Sequence, residues 1–284
     1  MQYTKSRPGA LLLAQNLSIP YNKLMIGIIG GSGLYEIEGL KVKDEKSVAT
    51  PYGEPSAPYK IGVLGGSEAA FLARHGTLHS IPPHKVNYRA NLWGLRSLGV
   101  ERIVSISAVG GMRGDMPPGT LVLPDQIIDM TFGARTSTFY DKNKVIHVDF
   151  TSPYCDEMRG LAIQASRDTG LPAKETGTYL CVNGPRLETA REIRFFSMIG
   201  ADMVGMTAMP EASLARELEI CLLGISVVTN YAAGISEKKL TTTEVVETMR
   251  GSSEKIKSLL KSFIPQIPTA RTCACKDALK DAEL

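Results

Sequence analysis

The amino-acid sequence predicts an α/β protein in which short buried strands alternate with amphipathic helices. Two observations carry this prediction: brief apolar runs rich in β-branched residues, and longer windows in which apolar residues recur every three to four positions. The chain has 284 residues, of which 43% are hydrophobic and 21% are charged, so it can bury a sizeable core.

The pattern divides the chain into three parts. Residues 1–24 mix prolines and polar residues without a period, and we expect them to form a poorly ordered N-terminal extension. No linker rich in proline, serine or charge interrupts residues 25–268, which are therefore predicted to form a single domain. Residues 269–284 follow as a C-terminal tail that contains Cys273 and Cys275.

Five short, nearly continuous apolar runs are predicted to be buried strands, at residues 26–29, 69–72, 102–106, 120–123 and 222–229. The last helix is expected to begin at a capping box of Thr241 with Glu244 and to be broken at residues 251–253. Its buried face should carry Val245, Met249, Ile256, Leu260 and Phe263. A second capping box, Thr189 with Glu192, is expected to open an earlier helix.

The charge pattern excludes several classes of partner. The 32 Lys and Arg residues are interspersed with 29 Asp and Glu residues, for a net charge of +3, and form no run that would bind nucleic acid or a membrane surface. No apolar stretch approaches the roughly 18 residues of a membrane span. The sequence therefore predicts a cytoplasmic protein with neither a nucleic-acid nor a membrane partner.

The cysteines do not form a recognisable framework. Their odd number, five, in a chain of this length argues against a disulfide scaffold. Cys273 and Cys275 have no second ligand pair at metal-binding spacing, so no metal site is predicted. They are either two thiols in a loose tail or a redox or disulfide element, and the sequence does not choose between these readings.

Glycine and basic residues follow the first two predicted strands of the domain. The turn at residues 30–33 contains three glycines and Ser32, and is either a tight structural turn or a cradle for phosphate. Arg74 and His75 end the second strand, where a guanidinium and an imidazole could bind phosphate. His79 and His84 lie in the same loop and are either structural or ligand-binding, and no HExxH motif accompanies them.

Other loops offer groups that have ordinary structural explanations when each is considered alone. Met206 would be core packing and Thr207 would be a helix cap. Glu188 would be an acid at a helix start, and Asn230 would be a turn former at a strand end.

Together, the motifs and their order resemble the trimeric branch of the purine nucleoside phosphorylase and methylthioadenosine phosphorylase family. The resemblance extends over residues 26–267 and is carried by residues 30–33, 74–76, 86–91, 108–111, 183–189, 205–211 and 229–231. It implies a three-layer α/β/α fold around a central mixed, partly barrel-like sheet. It also implies that phosphate attacks the anomeric carbon of a nucleoside, giving a free purine and a sugar 1-phosphate, so no protein nucleophile and no cofactor are needed.

The resemblance assigns roles to individual residues. The residues implied to bind phosphate are Ser32, Arg74, His75, Ala108 and Thr207. The residues implied to contact the base are Leu187, Glu188, Asn230 and Ala232. The residues implied to surround the ribose and its 5' group are Met206, Thr242, Val246 and His79. Asn230 and His75 are the implied catalytic residues. His79 matches a histidine that relatives contribute from a neighbouring subunit.

The base-contacting positions favour 6-oxopurines. Adenine-specific relatives carry aspartates in the segment where this chain has Asn230 and Ala232, and an amide N–H can meet a 6-oxo group that a carboxylate would repel. Glu188 matches a glutamate that accepts the purine N1–H, which adenine lacks. An unpaired buried partner costs on the order of 1–3 kcal/mol, or about ten- to a hundredfold in discrimination.

The position that holds the 5'-hydroxyl in inosine and guanosine phosphorylases is a histidine, and here it aligns with Thr242. Val246 would line the same pocket with hydrocarbon, so 5'-methylthioinosine is the predicted substrate. The alternatives are a general inosine and guanosine phosphorylase, a methylthioadenosine phosphorylase of relaxed base specificity, a nucleotide-binding oxidoreductase or a silent purine-binding protein. The resemblance further implies a homotrimer, with a homohexamer as the alternative. Heat-adapted relatives sometimes bridge the elements that carry Cys155 and Cys221, but two unpaired buried thiols are the more ordinary outcome.

Overall fold

The structure is a computed structural model that describes residues 24–31, 39–133, 135–142, 144–237 and 240–284. Its strands are β1 (Met25–Gly30), β2 (Lys41–Lys46), β3 (Tyr59–Leu64), β4 (Ser67–Ala73), β5 (Arg102–Gly111), β6 (Leu121–Val122), β7 (Gln126–Met130), β8 (Ala173–Lys174), β9 (Thr178–Val182), β10 (Met203–Gly205) and β11 (Cys221–Tyr231). Its α-helices are α1 (Tyr88–Ser97), α2 (Asp156–Asp168), α3 (Ala190–Met198), α4 (Ala208–Glu217) and α5 (Thr242–Phe263).

The strands form one mixed sheet of eleven strands, which confirms the predicted α/β class. Its main path runs β2-β3-β4-β1-β5-β10-β9-β7, and β11, β6 and β8 branch from β5. Strand β1 is parallel to β4 and β5, and β5 is parallel to β11. The carboxyl ends of these four strands therefore lie at one edge of the sheet, which is where α/β proteins bind ligands.

The sheet branches at β5. One edge of β5 pairs with β11 along its length, from Arg102 opposite Cys221 to Gly111 opposite Tyr231. The other edge pairs first with β1, as far as Ser105, and then with the antiparallel β10 at its last two residues. Between these two partners, residues 106–109 pair with no strand of the described chain on that edge. The sheet opens here, as expected for a partly barrel-like sheet, and its backbone groups can meet other partners.

Both predicted helix starts are confirmed, and one of them has both hydrogen bonds of the capping box. The Thr189 hydroxyl oxygen accepts from the Glu192 N–H, and the Glu192 carboxylate accepts from the Thr189 N–H. At α5 the Thr241 hydroxyl oxygen accepts from the Glu244 N–H. Helix α5 then runs unbroken to Phe263, so the predicted break at residues 251–253 is wrong. None of the described helices is both long enough and apolar enough to span a bilayer.

The C-terminal tail is packed against the domain, so the reading of a loose tail is wrong. Buried Arg102 donates to the carbonyl oxygens of Thr269 and Ala270. Arg271 donates to the Glu219 carbonyl oxygen, and Cys275 is buried. None of the five cysteines forms a disulfide, so Cys155 and Cys221 are two unpaired buried thiols, the outcome expected as the more ordinary one. The predicted N-terminal extension lies outside the described residues except for residue 24.

Candidate active site

The glycine turn after β1 and the end of β4 meet at the carboxyl edge of the sheet. A Cβ on Gly31 would lie 2.9 Å from Arg74 Nη1 and 2.8 Å from the Ile106 carbonyl oxygen. Only glycine permits this close approach. Ser32, the phosphate residue predicted in this turn, lies outside the described residues.

Arg74 is fully buried and is held by its own protein. Nε and Nη2 donate to the two carboxylate oxygens of Glu211, at 2.5 and 3.1 Å. Nη1 donates to the Ile106 carbonyl oxygen at 3.0 Å, and Nη2 also donates to Ser105 Oγ at 2.8 Å. A guanidinium has five N–H groups, so these contacts leave one on Nη1, the atom beside Gly31. Arg74 therefore has a structural role in addition to any contact with phosphate.

Glu211 is the residue that sequence reasoning missed in this network. Its carboxylate is 1% exposed and also accepts from the Ser105 hydroxyl at 2.6 Å. It neutralises the guanidinium of Arg74, which would otherwise be a buried charge without a partner. The sequence places these two residues 137 positions apart, and no local pattern links them.

His75 is buried and electrically neutral. Its Nδ1 donates to the Ile81 carbonyl oxygen at 2.9 Å, since a carbonyl can only accept, and this leaves Nε2 as an acceptor. Burial and the charge of Arg74 lower its pKa from 6.5 to about 4. An imidazolium would attract phosphate through its positive charge, but an uncharged imidazole cannot. It can instead accept a hydrogen bond from a protonated phosphate oxygen.

Ala108 lies on the stretch of β5 that faces the opening of the sheet. It is opposite Val227 of β11, two residues beyond Ile106. Backbone groups of alternate residues in a strand face the same edge, and the Ile106 carbonyl oxygen faces Arg74. The backbone N–H of Ala108 is therefore directed toward the side of β5 where Arg74 and Gly31 lie.

Thr207 closes this region from the side of α4. It is 6% exposed and precedes α4, but its hydroxyl makes no capping hydrogen bond, so the reading of a simple helix cap is wrong. Its backbone N–H donates to the Tyr179 hydroxyl at 3.3 Å. Thr207 lines a small cavity of about 10 Å³, whose polar lining residues include Ser105, Ser107, Ser226 and Glu211. The fold thus joins Thr207 to the Arg74 network.

Two loops, one before α3 and one after β11, meet on the side of the candidate site that is predicted to bind the base. Gly184 has φ +63°, and a Cβ there would overlap Met206 Sδ, so the loop before α3 packs directly on Met206. Glu188, in the same loop, is half-buried, and desolvation raises the pKa of its carboxyl. Leu187 is 50% exposed. The loop after β11 contacts the same region, because a Cβ on Gly234 would lie 2.6 Å from Ala190 Cβ.

Asn230 is the residue before the last of β11, and its amide is oriented by its neighbours. Its Oδ1 accepts from the Thr229 hydroxyl at 2.9 Å, and its Nδ2 donates to the Tyr231 carbonyl oxygen at 2.9 Å. Nδ2 retains a second hydrogen that can be offered to a ligand. Ala232 is buried beside Gly110 of β5. Asn230 and Ala232 at the end of β11 thus lie beside the end of β5, the strand that carries Ala108, a predicted phosphate residue.

The residues predicted for the 5' group lie in two places. Thr242 and Val246 are exposed in the first turns of α5. His79 has φ 52°, and its ring centre lies 4.7 Å from that of His75 in the same chain. Its predicted role toward a neighbouring subunit stays a prediction.

Arg135 connects two parts of the candidate site, and the sequence did not indicate it. Its Nη1 donates to the Met209 carbonyl oxygen at 2.5 Å, and its Nη2 donates to the Asn183 carbonyl oxygen at 2.9 Å. It therefore connects the loop before α3, which contains Asn183, to the start of α4. Its guanidinium lies over the Tyr88 ring, 5.2 Å from the ring centre. It follows no predicted strand or capping motif, so nothing in the sequence marked it.

Comparisons with known proteins show which family the chain belongs to. Residues 25–265 match the model of the phosphorylase superfamily. The chain is 54% identical over 260 residues to a probable S-methyl-5'-thioinosine phosphorylase of Thermodesulfovibrio yellowstonii, covering 92% of this chain and 97% of the relative. It is 55% identical over 264 residues to a 6-oxopurine nucleoside phosphorylase of Pyrococcus furiosus, covering 90% and 98%.

Relatives named for a different substrate are also similar. The chain is 49% identical over 260 residues to an S-methyl-5'-thioadenosine phosphorylase of Thermofilum pendens, covering 92% of this chain and 98% of that one. The structure of methylthioadenosine phosphorylase from Schistosoma mansoni in complex with adenine matches with a TM-score of 0.87 at 32% identity, covering 92% and 99%. The chain therefore belongs to the phosphorylase superfamily, as an enzyme of its purine nucleoside and methylthioadenosine phosphorylase family.

Proposed function

We propose that the enzyme catalyses phosphorolysis of 6-oxopurine nucleosides and prefers 5'-methylthioinosine. The observation that carries the proposal is the pair of base-contacting groups: a carboxylate at Glu188 and an amide, rather than a carboxylate, at Asn230. The relatives named for 6-oxopurine nucleosides and S-methyl-5'-thioinosine support it at 55% and 54% identity.

The proposed reaction exchanges one bond at the sugar for another. A phosphate oxygen forms a bond to the anomeric carbon while the bond from that carbon to the purine nitrogen breaks, and its electron pair leaves with the purine. A proton then neutralises the base. Phosphate would be held between the glycine turn, Arg74 Nη1, the Ala108 backbone and Thr207, so positioning and electrostatics supply most of the catalysis.

The purine would be recognised by two complementary hydrogen bonds. Glu188 accepts the N1–H of a 6-oxopurine, and the free N–H of the Asn230 amide meets the oxygen or ring nitrogen on which negative charge develops. Adenine offers no N1–H, so Glu188 would stay desolvated and unpaired. This supports the preference for 6-oxopurines.

The 5' preference rests on apolar surface. Val246 is 40% exposed and Met206 is partly buried beside Gly184, so both can contact an apolar group on the sugar. Burying a methylthio group gains about 1–2 kcal/mol. We propose that this gain places 5'-methylthioinosine ahead of inosine.

The assembly we propose is a homotrimer, with a homohexamer as the alternative. Large apolar side chains on the single chain support association, because Leu78, Phe132 and Met198 are 88%, 77% and 78% exposed. Leu78 is adjacent to His79, which we propose reaches a neighbouring site. The reaction needs no cofactor because inorganic phosphate is itself a substrate, and we propose that it takes place in the cytoplasm.

The test is base release from 5'-methylthioinosine, inosine, guanosine and 5'-methylthioadenosine, each with and without phosphate, compared as kcat/KM. We expect phosphate-dependent release with 5'-methylthioinosine leading. If 5'-methylthioadenosine leads, the argument from Glu188 and Asn230 fails. If release occurs without phosphate, the enzyme is a hydrolase and the phosphate site is misassigned.

Two variants test the base contacts directly. Asn230→Asp should lower kcat/KM for 6-oxopurine nucleosides and raise the relative rate for 5'-methylthioadenosine. Glu188→Gln should lower kcat/KM for 5'-methylthioinosine by about ten- to a hundredfold, since one buried hydrogen bond is lost. Glu175→Gln is the matched control, because Glu175 forms an exposed ion pair with Arg167. An equal loss for Glu188→Gln on all four nucleosides would contradict its role in choosing the base.

A further inference from the structure

Four cysteines from three distant parts of the chain converge at one point. Cys155 immediately precedes α2, Cys221 begins β11, and Cys273 and Cys275 lie in the C-terminal tail. Their four sulfur atoms all lie within 4.8 Å of one another. Three of these side chains are buried, with exposures of 1% for Cys155, 0% for Cys221 and 5% for Cys275.

The spacing of the sulfurs matches a single shared cation better than two disulfides. Cys221 Sγ and Cys273 Sγ are 3.3 Å apart. In a disulfide the two sulfur atoms would be about 2.05 Å apart. Four thiolates at about 2.3 Å from one tetrahedral Zn²⁺ would have sulfur–sulfur distances of about 3.8 Å. We propose that Cys155, Cys221, Cys273 and Cys275 bind one thiophilic divalent cation, Zn²⁺ or Fe²⁺, in a closed tetrahedral site.

The surroundings of the cluster suit a site with negative charge. Four thiols that bind a divalent cation release four protons and form a centre of net charge −2. Arg216 Nη1 lies 3.9 Å from Cys275 Sγ and supplies positive charge. Cys155 is the residue immediately before α2, so its side chain lies beside the positive N-terminal end of that helix.

The sequence argument against a metal rested on the missing second ligand pair for Cys273 and Cys275. The fold supplies that pair, because the Cys155 N–H donates to the Leu222 carbonyl oxygen at 2.8 Å and so fixes Cys155 beside the start of β11. Four ligands leave no open position for substrate, so the site is structural. It would fasten the tail to α2 and to β11, the strand that carries Asn230 near its end.

The experiment uses the full chain, purified with a reductant and analysed for bound metal. We expect about one equivalent of zinc or iron per chain, and the element found identifies the cation. After removal of the metal by a chelator, Co²⁺ should bind and give the intense visible bands and sulfur-to-cobalt charge transfer of a tetrahedral tetrathiolate. Added Zn²⁺ should abolish these bands, and the melting temperature should fall on chelation and recover with Zn²⁺.

The double variant Cys273→Ser with Cys275→Ser should lose metal binding by more than about tenfold. Cys181→Ser is the matched control, because Cys181 is buried outside the cluster, and it should retain full metal content. If the double variant does not fold, the Co²⁺ spectrum of the unaltered chain decides. Failure of the fully reduced chain to bind Zn²⁺ or Co²⁺, or an absorption spectrum without thiolate ligation, would overturn the proposal and favour two disulfides.

Discussion

Acid should destabilise this enzyme through His75, and His75→Gln should remove that sensitivity. The pKa of His75 is lowered from 6.5 to about 4, because the ring is desolvated and lies near the Arg74 charge. As the pH falls below 6.5, the imidazole of His75 is protonated in the unfolded chain but stays neutral in the folded chain. The free energy of unfolding therefore decreases until the pH reaches about 4. The pKa difference corresponds to about 3 kcal/mol in full, of which about 2 kcal/mol is lost by about pH 5.

The assay is urea unfolding at fixed protein concentration, at about pH 7.5 and about pH 5, followed by the fluorescence of the single tryptophan, Trp93. The unaltered chain should lose about 2 kcal/mol more than His75→Gln between these pH values. His147→Gln is the control, because His147 is exposed, and it should behave like the unaltered chain. Equal losses for His75→Gln and the unaltered chain would refute a buried neutral imidazole.

Three further substitutions test the site and its support. Glu211→Gln should lower the free energy of unfolding in urea without phosphate by about 3–5 kcal/mol, because Arg74 loses its buried counter-charge. Added phosphate should restore part of this loss. Equal losses with and without phosphate would argue against phosphate binding by Arg74. Gly184→Ala should cost about 1–3 kcal/mol, because alanine is strained at positive φ and its Cβ would overlap Met206 Sδ, and it should raise KM for the nucleoside; an unchanged KM would separate this contact from the site. Thr189→Ala should cost about 1 kcal/mol through the lost helix cap, and an unchanged midpoint in urea would show that the cap contributes nothing.

The sequence predicted the central strands because burial leaves a simple signal. Strands β1, β4 and β11 are nearly continuous apolar runs, and their bounds were predicted within two residues. Strand β5 was predicted to end at residue 106, but it continues to Gly111. Strand β2 was missed because its residues, Lys41–Lys46, are mostly exposed and charged, so hydrophobicity does not mark it. The predicted break in α5 was wrong because Ser253 donates to the Arg250 carbonyl oxygen within the helix, so a polar segment can remain helical.

Position at a strand end indicated part of the candidate site. Arg74 and His75 are predicted to bind phosphate because they end a strand of an α/β pattern, whereas Asn230 alone indicates a turn and its role comes only from the family resemblance. The partners that tune them were not predictable, because Glu211 and Arg135 act through contacts that only the fold creates. The neutral state of His75 likewise depends on burial and on the Ile81 carbonyl oxygen.

The branching of the sheet at β5 has a consequence for how the enzyme is made. Arg102 pairs with Ile26 on one side and with Cys221 on the other, so the two neighbours of one strand leave the ribosome at very different times. Until β11 has been synthesised, β5 carries an unpaired apolar edge that can attach to other nascent chains. Non-local pairing of this kind is slow. A chain that ends before β11 would thus be both inactive and prone to aggregate. Only the completely synthesised domain would convert nucleosides.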